Sequence, residues 1–229
     1  MTEPSVRQAP LPTLEDVKRD PEVEAFLTKA NEYTGVAGFT EHGLRHATLT
    51  SNIAANVLRR LGLDERTVQL GAIGAYLHDI GNLVSRANHE HTGAVLADLI
   101  LLRLGMPPDE RATVMGAIGN HEERHGEPVS AVGAAVILAD KSDVHRSRVR
   151  NPDRTTFDIH DRVNYAVEHS FLRVEEKSKT VTLELTIDTA MSQVMDYFEI
   201  FLARMLMCRR AATFLGCGFK LQINGVKIL

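Results

Sequence analysis

The sequence predicts a mainly α-helical protein that ends in a small α+β extension. Two observations carry this prediction. Apolar residues recur at spacings of three and four through most of the first 150 residues, which is the pattern of amphipathic helices. Beyond that point the stretch FLRVEEKSKTVTLELTID alternates apolar and polar residues on either side of a KSK turn, which indicates a β-hairpin.

The predicted helices of the first part have recognisable start and stop signals. Residues 1–12 contain three prolines and no periodicity, so we expect a loose arm there. One helix is expected to begin at Thr13, and another after Asp20, which can cap it with Pro21 at the first helical position. Further helices are predicted over residues 41–61, from Asp64 to Gly81, over 88–104, and in the stretches ERATVMGAIGNH and SAVGAAVILADKSDVHRS.

The remaining residues predict the extension. A helix is expected over 158–169, followed by the hairpin, a long apolar helix over about 189–215 and a last strand in GFKLQINGVKIL. We therefore divide the chain into an N-terminal arm with its helices (1–40), a helical domain (41–150) and the extension (151–229). An exposed sheet edge or the long helix can pair with a second copy, so a homodimer is expected.

The overall composition narrows the possible partners and compartments. A chain of 229 residues, 44% of them hydrophobic, can bury one sizeable core. Its net charge of −4 gives no electrostatic reason to expect a nucleic-acid polymer or a membrane surface as partner. Two cysteines are too few for a disulfide framework or a thiolate metal site. With no leader pattern and no apolar run of about 20 residues, we expect a cytoplasmic protein.

The stretch GAYLHDIGN places His78 directly before Asp79 in an apolar run. Burying two adjacent ionisable side chains is costly unless each has a partner. Suitable partners are His46 on an earlier helix and Asp140, which interrupts the apolar run ILADKSD. Two imidazoles and two carboxylates suit a divalent first-row metal such as Mn, Fe, Co, Ni or Zn, with Mg also allowed. Hydrogen-bonded core histidines are the alternative explanation.

These residues resemble a known signature. His46, then His78-Asp79 in LHDIG, then Asp140 in LADKSD, resemble the H…HD…D pattern of HD-domain metal-dependent phosphohydrolases over about residues 40–150. The resemblance implies an HD-type helical bundle and hydrolysis of a phosphomonoester or phosphodiester of a nucleotide or other small phosphorylated metabolite. In that chemistry metal-activated water attacks the phosphorus.

The resemblance extends to the binuclear branch, which includes the HD-GYP phosphodiesterases. His89, four residues before Gly93, matches an HxxxG element, and His121 in GNHEE stands where that branch has a His-His pair. It therefore implies one or two ions, with His89 and His121 serving the second. His42, one helical turn before His46, stands where an acidic ligand often occurs. The sequence departs from the branch in lacking GYP and in carrying Asn82 where a lysine is common.

Individual roles follow from the resemblance and from the residue types. Asp79 is the bridging candidate, and Lys141 could supply the positive charge that the missing lysine would provide; these two are the catalytic candidates. Asp143, one turn after Asp140, could orient a ligand, and Arg148 could bind phosphate bidentately. A solvated helix position explains Asp143 equally well, and a solvated basic helix end explains most arginines of this stretch, with Arg148 as the expected exception. In HEERHGEP, Glu122 and His125 are expected to rim the site.

Two other functions fit the same residues. Some HD-fold proteins with a similar ligand count are mixed-valent di-iron oxygenases, and the six residues His46, His78, Asp79, His89, His121 and Asp140 would serve them too. A non-catalytic signalling or dimerisation module with a vestigial site is the second alternative.

Overall fold

The computed structural model describes residues 10–228. Nine α-helices and four β-strands lie in this part of the chain. The helices are α1 (Leu14–Lys18), α2 (Pro21–Val36), α3 (Leu44–Arg60), α4 (Glu65–Leu77), α5 (His89–Arg103), α6 (Pro108–Gly119), α7 (Ala131–Ser142), α8 (Ile159–Ala166) and α9 (Val194–Phe214). The strands are β1 (Val167–Glu175), β2 (Thr180–Ile187), β3 (Gly218–Ile223) and β4 (Val226–Lys227).

The helical body is built around α7. Every residue from Val132 to Ser142 is buried, because α3, α4 and α6 pack against this helix on one side and α9 on another. A helix that is apolar around its whole circumference belongs in the interior of a bundle. The polar residues at its end, including Asp140, are therefore carried into the centre of the molecule.

The start signals of α2 and α4 work as the sequence predicts. The carboxylate of Asp20 accepts the backbone N–H groups of Glu22 and Val23, and Pro21 is the first residue of α2. Asp64 accepts the N–H of Thr67 at the start of α4. These caps satisfy N–H groups that have no partner within the helix.

The extension forms a four-stranded sheet in the order β1-β2-β3-β4. The first and last pairs are antiparallel, whereas β2 and β3 are parallel. Parallel neighbours need a crossover connection, and α9 provides it. This helix contacts β2 and β3 as well as α7, so it joins the sheet to the helical body.

The structure corrects three element predictions. The helix expected over 158–169 ends at Ala166, because β1 begins at Val167 and pairs with β2. The single last strand is two strands, because Asn224 and Gly225 both adopt positive φ and reverse the chain. The helix expected to reach Gly81 ends at Leu77. Residues 1–9 of the expected arm lie outside the described residues.

The mainly α class with a small C-terminal sheet is confirmed. Within residues 10–228, none of the helices combines the length and the apolar composition that a membrane crossing requires.

Candidate metal centre

His78 and Asp79 lie at the point where α4 ends. His78 is the last residue with helical backbone angles, and Asp79 has φ −94° and ψ 0°, a region where many active-site residues are found. A short 3-10 turn, Ile80–Leu83, follows. The end of the helix lets the two neighbouring side chains face the same interior space, which continuous helix geometry does not favour.

A close backbone approach brings His89 to the same place. A Cβ atom on Gly81 would lie 2.5 Å from the amide nitrogen of Gly93, and it would also collide with the carbonyl oxygen of His89. Glycine is therefore required where the 3-10 turn crosses the first turn of α5. Gly93, the glycine of the HxxxG element, allows this close backbone contact, and the contact places His89 beside the end of α4.

Four histidines present the same nitrogen to this interior space. Each Nδ1 atom faces an oxygen. For His46 it is Oδ2 of Asp143, at 2.7 Å. For the other three it is a backbone oxygen: that of Ala75 at 2.7 Å from His78, that of Arg86 at 3.1 Å from His89, and that of Ile118 at 2.6 Å from His121. A carbonyl oxygen can only accept a hydrogen bond. Nδ1 therefore carries the proton in the three rings whose Nδ1 atom faces a carbonyl oxygen. In a neutral ring of this kind, Nε2 is then a bare lone pair.

The Nε2 atoms meet in pairs. His46 Nε2 lies 3.2 Å from His78 Nε2, and His89 Nε2 lies 3.1 Å from His121 Nε2. Two lone pairs at this distance repel each other unless a proton or a cation lies between them. The pairing is therefore the arrangement expected of nitrogen ligands around a metal ion.

The carboxylates complete the donor set. Oδ2 of Asp79 lies 3.3 Å from His78 Nε2 and 3.5 Å from His46 Nε2, whereas Oδ1 lies 3.4 Å from His89 Nε2. Each oxygen thus faces a different histidine pair, as a bridging ligand would. Asp140 Oδ1 lies 3.3 Å from His46 Nε2.

A buried oxygen without a hydrogen-bond partner supports the same interpretation. Oδ2 of Asp79 accepts no hydrogen bond from the described residues, and the side chain is buried, with only 5% of its surface exposed. An orphaned buried carboxylate oxygen is costly, and a coordinated cation is one of the few things that offset the cost. The residues present therefore fit a divalent metal with mixed nitrogen and oxygen ligands.

Three groups of possible ligands lie here, and the first two share His78. In each group the ligand atoms are within 4.8 Å of one another: His46, His78 and Asp140; His78, Asp79 and His121; and His89, Glu90 and Glu122. The structure thus brings together all six residues that the sequence predicts as ligands. Glu90 is an addition that sequence reasoning did not single out.

The electrostatics of the centre favour added positive charge. Burial alone would lower the pKa of His78, but the carboxylates of Asp79 and Asp140 outweigh it and raise that pKa to about 10. Burial would raise the pKa of Asp140, yet Lys141 and His78 hold it well below its usual range. Burial and neighbouring cationic groups keep the pKa of His121 well below its ordinary value. The centre therefore holds ionised carboxylates whose negative charge is stabilised by a nearby proton or cation.

Two further predicted residues lie beside these ligands. Asp143 contacts His46 Nδ1 and is itself held by Arg45 at 2.8 Å, so its position fits an orienting role. His42 precedes α3, whose cap is Gly43, so it does not share a helix face with His46 as the spacing suggested. Its ring nevertheless lies with its centroid 5.7 Å from that of His46, and it lines the adjoining cavity.

The ammonium group of Lys141 contacts a ligand and not the cavity. Its Nζ lies 2.7 Å from Asp140 Oδ2 and 2.6 Å from Glu123 Oε2, and the side chain is 3% exposed. Arg204 of α9 approaches the other oxygen of Glu123 at 3.4 Å. Arg204, Glu123, Lys141 and Asp140 thus form a chain of alternating charges that joins the extension to the ligand cluster. Lys141 is therefore better described as a positioning residue than as a group that faces a substrate.

Arg148 is enclosed by backbone oxygens. Its guanidinium donates to the carbonyl oxygens of Glu41 at 2.9 and 3.0 Å and of Asp143 at 2.8 Å, and it is 2% exposed. The expectation that it binds a substrate phosphate does not fit this position, because its donors are already engaged. The side-chain types in the sequence do not indicate that backbone carbonyl oxygens surround this arginine.

A cavity of about 690 Å³ opens on the metal centre. A volume of this size suits a small molecule. Glu122 and His125 line it, as the sequence predicts. The extension supplies one wall, which sequence reasoning did not foresee, through residues of α8 and α9 that include His160, Asn164, Phe201 and Arg204. Arg86 and Phe39 line the cavity too.

Residues 41–145 match the family model described as the HD domain. This part of the chain is therefore similar to the HD domain family, whose members are generally metal-dependent hydrolases. The chain is also similar to Uncharacterized protein MJ1020 of Methanocaldococcus jannaschii, with 27% identity over 207 residues that cover 80% of this chain and 79% of that protein. This coverage exceeds the HD match, so the similarity includes segments outside the HD domain.

Proposed function

We propose that this protein is a metal-dependent phosphohydrolase that acts on a nucleotide or another small phosphorylated metabolite. The observation that carries the proposal is the pair of facing Nε2 atoms of His46 and His78, flanked by Asp79 and Asp140, in a ligand cluster that reaches a cavity of about 690 Å³ through His89. Arg86 lines this cavity beside the ligands, and a guanidinium can bind a phosphate through two parallel hydrogen bonds.

His46, His78, Asp79 and Asp140 would hold one divalent ion, and His89 and His121 with Asp79 would serve a second. Such an ion lowers the pKa of bound water and neutralises charge on phosphoryl oxygens. The protein's own part is to fix the donors before the substrate arrives. The contacts to Asp143, Ala75, Arg86 and Ile118 hold the four rings in one orientation.

A di-iron oxygenase is supported by the same six ligands. Arg86 favours the phosphohydrolase, because it lies beside the ligands and can bind a phosphoryl group. The non-catalytic module is less well supported, since all six proposed ligands are retained and buried close together. Homodimer formation stays a prediction.

The test begins with elemental analysis of protein purified without added metal, with His78→Ala and Asp79→Ala as controls. Phosphate release is then measured on panels of phosphomonoesters and phosphodiesters with Mn²⁺, Co²⁺ or Zn²⁺. The proposal predicts metal in the wild type only, together with phosphate release. Protein that holds no transition metal and cannot be loaded with one contradicts it, as does bound iron with oxygen consumption and no phosphate release.

A further inference from the structure

The guanidinium group of Arg86 stands at the edge of the metal centre. Its Nη1 atom lies 3.2 Å from His89 Nε2, 3.2 Å from Asn82 Oδ1 and 3.7 Å from Asp79 Oδ1. All of these contacts use a single nitrogen. Arg86 is thus attached to the ligand cluster through one corner of its planar group.

Asn82 holds this arginine and a metal ligand at the same time. Its amide nitrogen donates to the backbone oxygen and to Oδ1 of Asp79, both at 2.9 Å, while its own oxygen accepts from Arg86. The guanidinium also stands 5.5 Å from the centre of the Phe39 ring, a cation–π contact. Amide and ring together fix the plane of the guanidinium relative to Asp79.

The other donors of Arg86 are not engaged. Within residues 10–228, neither Nε nor Nη2 hydrogen-bonds to a protein acceptor, and the side chain is 29% exposed on the wall of the cavity. Nε and Nη2 form one edge of the fork that binds two oxygens of a phosphate or carboxylate in parallel. A fixed guanidinium with a free fork beside a metal centre is a site for an anion.

We propose that Arg86 binds the phosphoryl group of the substrate through this free edge, and that Asn82 is the residue that positions it. The inference rests on the proposed function and deepens it. A bidentate contact occupies two non-bridging oxygens. A phosphomonoester has three such oxygens, so one remains to face the ligand cluster alone, whereas a phosphodiester has two and would have to share one of them between the guanidinium and the cluster. The structure therefore favours a phosphomonoester as the substrate class.

The first experiment measures binding of inorganic phosphate to Mn²⁺-loaded protein by titration calorimetry. We expect Arg86→Gln to weaken this binding by about 10- to 100-fold, the range for hydrogen bonds to charged groups, and Arg86→Lys by less, because the charge remains without the fork. Arg60→Gln, which removes the same charge from the exposed end of α3, is the matched control and should bind phosphate normally. Thermal unfolding of each variant verifies that it is folded.

The second experiment measures Mn²⁺ affinity and hydrolysis. Arg86→Gln should bind Mn²⁺ at least as tightly as the wild type, because it removes a positive charge close to Asp79. Wild-type protein should hydrolyse p-nitrophenyl phosphate in preference to bis-p-nitrophenyl phosphate, and Arg86→Gln should raise KM for the monoester. Unchanged phosphate binding combined with tighter or additional Mn²⁺ binding would overturn the inference, because Arg86 would then only occupy a cation's place.

The failure of this inference is distinguishable from failure of the proposed function. If the wild type hydrolyses phosphate esters and Arg86→Gln does so equally well, the function stands and the role of Arg86 is refuted. If no ester is hydrolysed but phosphate binding still depends on Arg86, the anion site stands and the phosphohydrolase does not. Preference for the diester would refute the assigned substrate class.

Discussion

Oδ2 of Asp143 lies 2.7 Å from Nδ1 of His46, and this contact turns the opposite nitrogen of the ring toward His78. Asp143 is itself fixed by Arg45 and lies behind the ligands, out of reach of the cavity lining. Its effect on the centre is therefore exerted through the orientation and basicity of His46.

Replacing Asp143 should weaken metal binding without removing a ligand. We expect Asp143→Asn to raise the Kd for Mn²⁺ or Zn²⁺ by about 10- to 100-fold, the usual cost of losing such an outer contact. Titration calorimetry against the metal measures it. Glu199→Gln, on the exposed face of α9, removes a carboxylate elsewhere and serves as control. Equal metal affinities of the wild type and Asp143→Asn would exclude the orienting role.

Metal affinity should rise with pH. The pKa of His78 is raised from 6.5 to about 10 by Asp79 and Asp140, so in metal-free protein the ring carries a proton that a cation must displace. The apparent affinity is then expected to increase by about tenfold per pH unit between pH 6 and 9, with release of one proton. Chelator competition at several pH values, and calorimetry in buffers of different ionisation enthalpy, give both quantities.

The same shift predicts the pH dependence of the metal-free protein's stability. A raised folded-state pKa means that protonation of His78 stabilises the fold fully below the unfolded pKa near 6.5 and progressively less as the pH rises toward 10. His78→Ala should flatten this decline. A metal affinity independent of pH would contradict the assignment of the proton to His78.

The crossing of Gly81 and Gly93 should tolerate no side chain. Gly81→Ala would place a Cβ against the backbone of α5, so we expect a loss of about 3 kcal/mol or more in the free energy of unfolding. Gly116→Ala is the control, because its Cβ would meet only Val129 at 3.6 Å, and alanine should stabilise that helix by up to about 1 kcal/mol. Urea unfolding followed by circular dichroism compares the two, and similar effects at both positions would argue against the crossing.

The buried charge chain should be strongly coupled. Lys141→Met leaves the carboxylates of Asp140 and Glu123 without their shared partner, and we expect a loss of about 3 kcal/mol in the free energy of unfolding. Glu123→Gln should cost less, because its side chain is 20% exposed. The double variant should lose less than the two single losses added together.

An exposed ion pair of the same region provides the comparison. Glu127 and Arg210 are 58% and 43% exposed, so Glu127→Gln should change the stability by less than about 1 kcal/mol. Additive effects of Lys141→Met and Glu123→Gln would show that the buried groups act independently.

The ligands could be predicted from the sequence because each combines a metal-ligating side chain with an apolar neighbourhood. His78, Asp79 and Asp140 interrupt runs that can only be interior, and so they had to meet other polar groups there. Helix ends were less predictable. The chain leaves α4 after Leu77 and enters the 3-10 turn that crosses α5 at Gly81, and the sequence pattern does not show that crossing.

The residues that sequence reasoning missed or misplaced depend on tertiary contacts. Arg86 lies in a stretch without periodicity, and only the fold brings Phe39 to its guanidinium. Lys141 and Arg148 have the side chains expected of phosphate-binding residues, but both are buried against other acceptors. A residue type thus indicates what a side chain can bind, whereas the packing determines what it meets.

The position of α9 sets an order in which the protein can acquire its properties during synthesis. All six proposed ligands lie before Lys141 in the chain, whereas Asn164, Phe201 and Arg204, which form one wall of the cavity, are translated later. A nascent chain therefore contains all six proposed ligands before it contains this wall of the cavity. The cavity is completed only when α9 docks against α7.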